Sequence, residues 1–232
     1  MAKYPKVNYI GNKEKLVNWI IDEMPVKEGV VLDIFAGGCS VSYALKEAGY
    51  SVISNDILYA DYVIAKALIE NNNKTLPLSV FNKKYENTRV KELEAKFAFL
   101  SDSLYYPEEV KELSKLVAIS EKLNGAEKYM MLSLIRRAMI RKLPYSRMNV
   151  PWDQIQKLRD EDYSYKKYKR KRAYHNQTFE SHMRENIDAY NNAVFEGKQC
   201  KVYNCDAFEM VKKIESVDVV YMDPPYPSTM NN

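Results

Sequence analysis

The chain has 232 residues, 46% of them apolar and 28% charged, which suits a folded globular protein and is too hydrophobic for a disordered one. No apolar run approaches the roughly 20 residues that span a bilayer. The opening Met1–Lys6 lacks the apolar core of a secretion signal, and three cysteines without metal-ligand spacing point to a reducing, cytoplasmic setting and no metal site. The net charge of +4 is unevenly spread: residues 134–184 hold 14 Lys/Arg against five Asp/Glu, so the rest of the chain is net acidic. A basic block inside an acidic protein implies a polyanionic partner for that block alone.

In chain order, Tyr9-Ile10-Gly11-Asn12-Lys13 precedes an amphipathic helix carrying Leu16, Val17 and Ile20. Val30 to Phe35 is a nearly continuous apolar run ending at Ala36-Gly37-Gly38, the pattern of a buried parallel strand feeding a turn. Ser40 is predicted to cap a helix that carries Val41, Ala44, Leu45 and Ala48 and closes at Gly49. Ser51 to Asp56 reads as a second strand, followed by a helix from Tyr59 to Glu70. This order predicts an α/β fold with a doubly wound sheet and right-handed crossovers.

From about residue 75 to 195 the chain reads instead as helices and polar connectors, with prolines at 77, 107, 144 and 151. Strand patterning returns only at Lys201–Asn204 and Val217–Met222. The expected organisation is therefore a core of residues 1–74 and 196–232, interrupted by a mainly helical insertion over 75–195.

Glycines leaving a first strand bring backbone N–H groups and a helix N-terminus close to a ligand. Asp56, at the end of the second strand, has the chemistry to accept both hydroxyls of a ribose, although an Asn-Asp pair also commonly opens a helix. Lys13 can meet a carboxylate and Tyr9 can offer an aromatic face; a solvated helix start explains both equally well.

Asp223-Pro224-Pro225-Tyr226 is more specific. Two prolines fix their φ angles, remove two N–H donors and bias Asp223 away from the helical region. The resulting loop is stiff, and its acceptors are free to take both protons of an exocyclic amine, while Tyr226 offers a stacking face. Holding those N–H bonds out of the ring plane localises the nitrogen lone pair, which suits direct displacement at a sulfonium methyl. A duplex base would have to be flipped out to reach such a loop.

Taken together, these residues resemble Dam-type DNA adenine-N6 methyltransferases, in the group whose order is cofactor motif, target-recognition region, catalytic motif. The similarity spans most of the chain and implies a Rossmann-like class I methyltransferase sheet using S-adenosylmethionine. Tyr9 and Lys13 resemble the N-terminal cofactor motif. Asp33, Phe35 and Gly37 resemble the glycine turn, with Cys39 standing in place of its final glycine. Asp56 takes the place of the ribose-binding acid, and Asp206, within Asn204–Phe208, that of the partner of the cofactor's adenine amine. Asp223 to Tyr226 corresponds to the catalytic tetrapeptide, with Asp223 also facing the cofactor. The family continues past that tetrapeptide to a seven-stranded sheet, so the four strands read here imply that the other elements belong to a longer chain or to another chain.

Within the basic block, residues 134–184, the resemblance places target recognition. Arg141, Lys142, Tyr145, Arg147, Lys169, Arg170, Lys171 and Arg172 are the candidates for phosphate and strand contacts, and Asn176 has the donor–acceptor pair suited to an adenine edge. His175 and His182 read as surface polar residues. The expected partner is double-stranded DNA, in a prokaryotic or phage restriction–modification setting with a cognate endonuclease. RNA bases and protein amides are alternative amine substrates, and a non-catalytic DNA-binding half of a split enzyme is an alternative of a different class.

Overall fold

The computed structural model describes residues 2–146, 148–171 and 173–225. The chain divides into two compact units, Met1–Thr75 with Ala189–Asn232, and Leu76–Asp188. In chain order, the first unit begins with α1 (Val17–Asp22), β1 (Val30–Asp33), α2 (Ser40–Glu47), β2 (Ser51–Asn55) and α3 (Tyr59–Leu68). The second unit holds α4 (Asn87–Lys96), α5 (Pro107–Ser120), α6 (Gly125–Lys142), α7 (Trp152–Arg159) and α8 (Glu161–Tyr168). Helix α9 (Phe179–Asn191) carries the chain back to the first unit, which continues with β3 (Lys201–Tyr203), α10 (Ala207–Lys213) and β4 (Val219–Tyr221).

The four strands form one parallel sheet in the order β3-β2-β1-β4, as the α/β reading requires. Val31 pairs with Val52 on one side and with Val219 on the other, and Ser54 pairs with Val202. Sequence order runs outward from β1 through β2 to β3, whereas β4 joins the opposite edge of β1. The strand order thus reverses between β1 and β4, and open α/β sheets bind ligands at the carboxyl ends flanking such a reversal. The apolar face under this edge is Leu32, Ile34 and Met210, with Phe35, Ile53, Tyr203 and Ile214 packed around them.

One local detail differs from the sequence reading. Ser40 does not cap α2: Cys39 holds the N-cap position with φ 65°, and the Ser40 hydroxyl accepts the Lys13 backbone N–H at 3.3 Å. Lys46 of α2 is buried, and its ammonium donates to the carbonyls of Leu68 (3.3 Å), at the end of α3, and Asn71 (2.8 Å), beyond it. Those carbonyls have no partners inside a helix, so a buried cation satisfies them where a glycine cap otherwise would; burial pushes the Lys46 amine down to about 8.

The second unit is organised around a buried carboxylate. Pro107 opens α5, and Glu109 completes a capping box by accepting the Tyr106 backbone N–H at 3.0 Å. The same carboxylate receives both arms of the Arg159 guanidinium, at 2.8 and 2.5 Å, and the Lys142 ammonium at 2.7 Å. Burial would raise the Glu109 carboxyl, but these two cations outweigh it and hold it below the ordinary range. Arg159 and Lys142 then pass the link on. Asn176 accepts from Arg159 Nε at 3.1 Å and returns an N–H to the Arg159 carbonyl at 2.9 Å, while Lys142 donates to the Gln177 carbonyl. Glu112 accepts the first N–H groups of α9, from Phe179 (3.1 Å) and Glu180 (2.9 Å).

Removing one partner from a buried ionic cluster leaves the others as uncompensated buried charges. Glu109→Gln is expected to destabilise the protein by roughly 3–5 kcal/mol, read as a lowered urea midpoint; a change under about 1 kcal/mol would show that the cluster is not structural.

Candidate active site

Parallel pairing places the carboxyl ends of β1, β2, β3 and β4 along one edge of the sheet, where the predicted acids lie: Asp33 as the last residue of β1, and Asp56, Asp206 and Asp223 in the loops after β2, β3 and β4. The loop after β1 is the tightest. Gly37 has φ +49°, and a Cβ there would lie 2.7 Å from the Tyr9 ring; one on Gly38 would lie 2.8 Å from Tyr9 Cβ. The missing side chains therefore let the N-terminal segment fold down on the turn, where the Tyr4 hydroxyl also donates to the Gly38 carbonyl. Cys39 takes the left-handed conformation in which a glycine would be unstrained, and its buried thiol lies 3.4 Å from the Gly37 carbonyl. Phe35 is half-buried against the Leu32–Met210 cluster and props the turn from below.

Asp56 binds the same turn from the side. Its Oδ2 accepts the Gly37 N–H at 2.8 Å, and its Oδ1 accepts the Leu58 N–H at 2.9 Å. Leu58, not Asp56, holds the N-cap position of α3, so Asp56 is a loop acid. Two asparagines that sequence reasoning passes over tie the neighbouring loops together. The buried Asn55 amide donates to the Ile34 (3.2 Å) and Cys205 (3.0 Å) carbonyls, and its oxygen accepts the Cys205 N–H at 3.2 Å. Asn204 donates to the carbonyls of Asp56 (2.7 Å) and Ile57 (2.9 Å). The available signal is an amide at each strand end, where a polar group has loop backbone to satisfy. Both loops expose apolar side chains beside their acids, Ile57 at 65% and Phe208 at 81%.

Asp206 caps α10, accepting the Phe208 N–H at 2.8 Å. Asp33 is only 1% exposed. Its Oδ2 accepts the Ser42 hydroxyl at 2.6 Å, Ser42 in turn accepts the Ser54 hydroxyl at 2.7 Å, and the buried Oδ1 of Asp33 has no hydrogen-bond partner. Burial, with added repulsion from Asp56 and Asp223, raises the Asp33 carboxyl from the ordinary 3.8 to about 7. A cation arriving at this edge would relieve that repulsion.

Asp223 stands two residues beyond β4, with Pro224 and Pro225 exposed after it. Its Oδ2 lies 2.5 Å from the Lys13 ammonium, which also donates to the Gly11 carbonyl at 3.1 Å. The structure thus brings Tyr9, Lys13, Gly37, Asp56 and Asp223 to one edge, with Asp33 and Phe35 beneath them. Tyr226 lies outside the described residues.

In the second unit, Lys169, Arg170 and Lys171 are exposed after α8, with Lys169 left-handed at its C-cap, and Arg147 and Arg172 lie outside the described residues. Tyr145 is 55% exposed and sits at φ 58°, a costly conformation for an aromatic residue. Arg141 donates to His182 Nδ1 at 3.2 Å and lies 5.8 Å over the Tyr174 ring. Three expectations are corrected. Lys142 is buried on Glu109 and so is withdrawn from any interface. Asn176 has both ends of its amide committed to Arg159, which removes the pattern needed to read a base. His175 and His182 are buried, not surface residues; burial first, then Arg141 and Lys142, pushes His182 down to about 4, so it is neutral and accepts from Arg141.

The Asp33 shift has a testable sign. A carboxyl raised on folding means that the folded chain holds the proton more tightly, so its contribution to stability is lost as pH rises from about 4 to about 7. Thermal melting of the ligand-free chain at pH 5 and pH 7.5 should show this loss, and Asp33→Asn should reduce it; an unchanged difference would remove Asp33 as its source.

Among the described residues no helix is long and apolar enough to cross a membrane, and no cluster of His, Cys, Asp or Glu could hold a metal ion. A family model described as D12 class N6 adenine-specific DNA methyltransferase matches residues 9–232. The chain is 48% identical over 236 residues to the Type II methyltransferase M2.HphI of Haemophilus parahaemolyticus, covering 99% of this chain and 68% of that protein. It is 27% identical over 244 residues to the modification methylase StsI of Streptococcus sanguinis, covering 96% of this chain but only 34% of that larger protein. A shorter match, 36% identical over 67 residues, reaches the Type II methyltransferase M.CviAII of Paramecium bursaria Chlorella virus 1 over 27% of this chain and 21% of that protein. With nearly its whole length matched, the chain belongs to the D12 class of N6 adenine-specific DNA methyltransferases.

Proposed function

We propose that the edge formed by Lys13, Gly37, Asp56 and Asp223 transfers a methyl group from S-adenosylmethionine to N6 of an adenine flipped out of duplex DNA. The observation that carries this is the placement of Asp223-Pro224-Pro225 at the end of β4, beside the glycine turn of β1 and across the reversal of strand order. The residues suit the donor. Its ammonium and sulfonium are cationic, and they meet an edge with four acids, one of them buried with an unpaired oxygen. Its ribose diol suits Asp56, its adenine suits the exposed Ile57 and Phe208 with Asp206 at its rim, and its carboxylate suits Lys13. When bound, it would supply a sulfonium methyl to which the N6 lone pair forms a bond as the methyl–sulfur bond breaks, leaving a neutral thioether and releasing one N6 proton to solvent.

The chain's own contribution is positional. Asp223 accepts an N6 proton in hydrogen bonding, which draws the N–H bond away from the ring plane, and the paired prolines keep the loop from yielding. Tyr226, next in sequence, is assigned the stacking face for the base. In the second unit, Lys169, Arg170 and Lys171, with Arg147 and Arg172, are assigned to the DNA backbone, and Arg141 and the strained Tyr145 to the region of the displaced base. The likeness to type II methyltransferases favours a restriction–modification setting with a cognate endonuclease.

Incubation with methyl-labelled S-adenosylmethionine and unmethylated duplex DNA, followed by digestion, should yield labelled N6-methyladenine. Asp223→Ala should lower that rate by at least about 100-fold while leaving salt-sensitive DNA binding in place; retained turnover would sink the catalytic assignment. Replacing Lys169, Arg170 and Lys171 by glutamine should weaken binding to all duplexes and flatten the log–log salt slope by about 0.9 for each phosphate no longer neutralised. An unchanged slope would take this run out of the interface.

A further inference from the structure

We propose that Lys13 is shared between two carboxylates, that of Asp223 and that of the methyl donor, so that donor binding frees Asp223 to receive the base. The inference rests on the proposed function and adds a coupling between its two halves. In the ligand-free chain the Lys13 ammonium sits 2.5 Å from Asp223 Oδ2, with both side chains about four-fifths buried, at 19% and 24% exposure. That ion pair occupies an acceptor that the amine of a flipped adenine requires. Asp223 adds to the repulsion felt by Asp33 on this edge, so an unpaired carboxylate here carries a penalty that the ammonium offsets.

The two partners differ in mobility. Asp223 is followed by two prolines that restrict its loop. Lys13 reaches the site on a flexible four-carbon stem, while its own backbone is fixed by the bond from its N–H to Ser40 Oγ at the start of α2. The ammonium can therefore change partner without any movement of the backbone on either side. A carboxylate brought in beside the glycine turn competes for it directly, and a ligand that lacks that carboxylate leaves the pair closed. The consequence is an order of assembly: the donor first, then the base.

Calorimetric titration of the purified chain with S-adenosylhomocysteine and with 5′-methylthioadenosine separates the two cases, because the second has the adenosine and thioether without the amino-acid tail. Asp223→Asn removes the competitor for Lys13 and should tighten S-adenosylhomocysteine by about two- to fivefold, the range of a partly exposed ion pair, while leaving methylthioadenosine unchanged. Lys13→Met should weaken S-adenosylhomocysteine alone, and in that background Asp223→Asn should give no tightening. Equal effects of Asp223→Asn on both ligands, or tightening that persists without Lys13, would overturn the sharing and leave the cofactor site standing. Binding of neither ligand to a chain shown folded by circular dichroism would overturn the site itself, and the sharing with it.

Discussion

Parallel pairing of β1 with β2 and β4, and of β2 with β3, makes four strands finish on the same edge, and the proposed chemistry depends on that shared finish. Each strand end brings an acid, and together the four create an edge whose negative charge the fold only partly neutralises from within. Asp33, raised chiefly by its burial, is pushed further towards neutrality by Asp56 and Asp223. Lys13 answers that charge at Asp223, and the N–H groups of Gly37 and Leu58 answer it at Asp56. On the proposed function, an edge assembled this way suits a ligand that brings positive charge and hydroxyl groups, and strand register sets its backbone geometry.

Much of this is legible in the sequence because the central strands β1 and β2 are largely buried and so apolar, the edge strands keep a short apolar run, and prolines and glycines announce where strands end. The runs at Val30, Ser51, Lys201 and Val217 read as strands, and all four pair in the sheet, each ending one or two residues before its sequence pattern does. The acids at their ends can be placed on one edge from strand order alone. Asn55 and Asn204 cannot be singled out that way, since an amide becomes a loop tie only once the carbonyls of Ile34, Cys205, Asp56 and Ile57 converge on it.

The basic block shows the opposite limit. A charge count treats every Lys and Arg as solvated, yet Lys142 and Arg159 turn inward to Glu109 and commit their charge to the interior of the second unit. The histidines mislead for the same reason. Their polarity suggests water, but both are buried, and each bonds to Arg141 of α6. The outward run at Lys169–Lys171 and the inward pair at Lys142 and Arg159 are chemically alike in sequence; only packing separates a cation that organises the unit from one that meets a partner.

Cys39 bears on how such chains are found at all. The turn after β1 demands a residue that tolerates a positive φ, and glycine is the commonest answer because it has no side chain to clash. Here a small thiol accepts the same backbone shape and fills the space beneath the turn. The requirement at this position is therefore one of conformation, and a search pattern that insists on the glycine letter will pass over functional relatives in which a different residue has settled into the same bend.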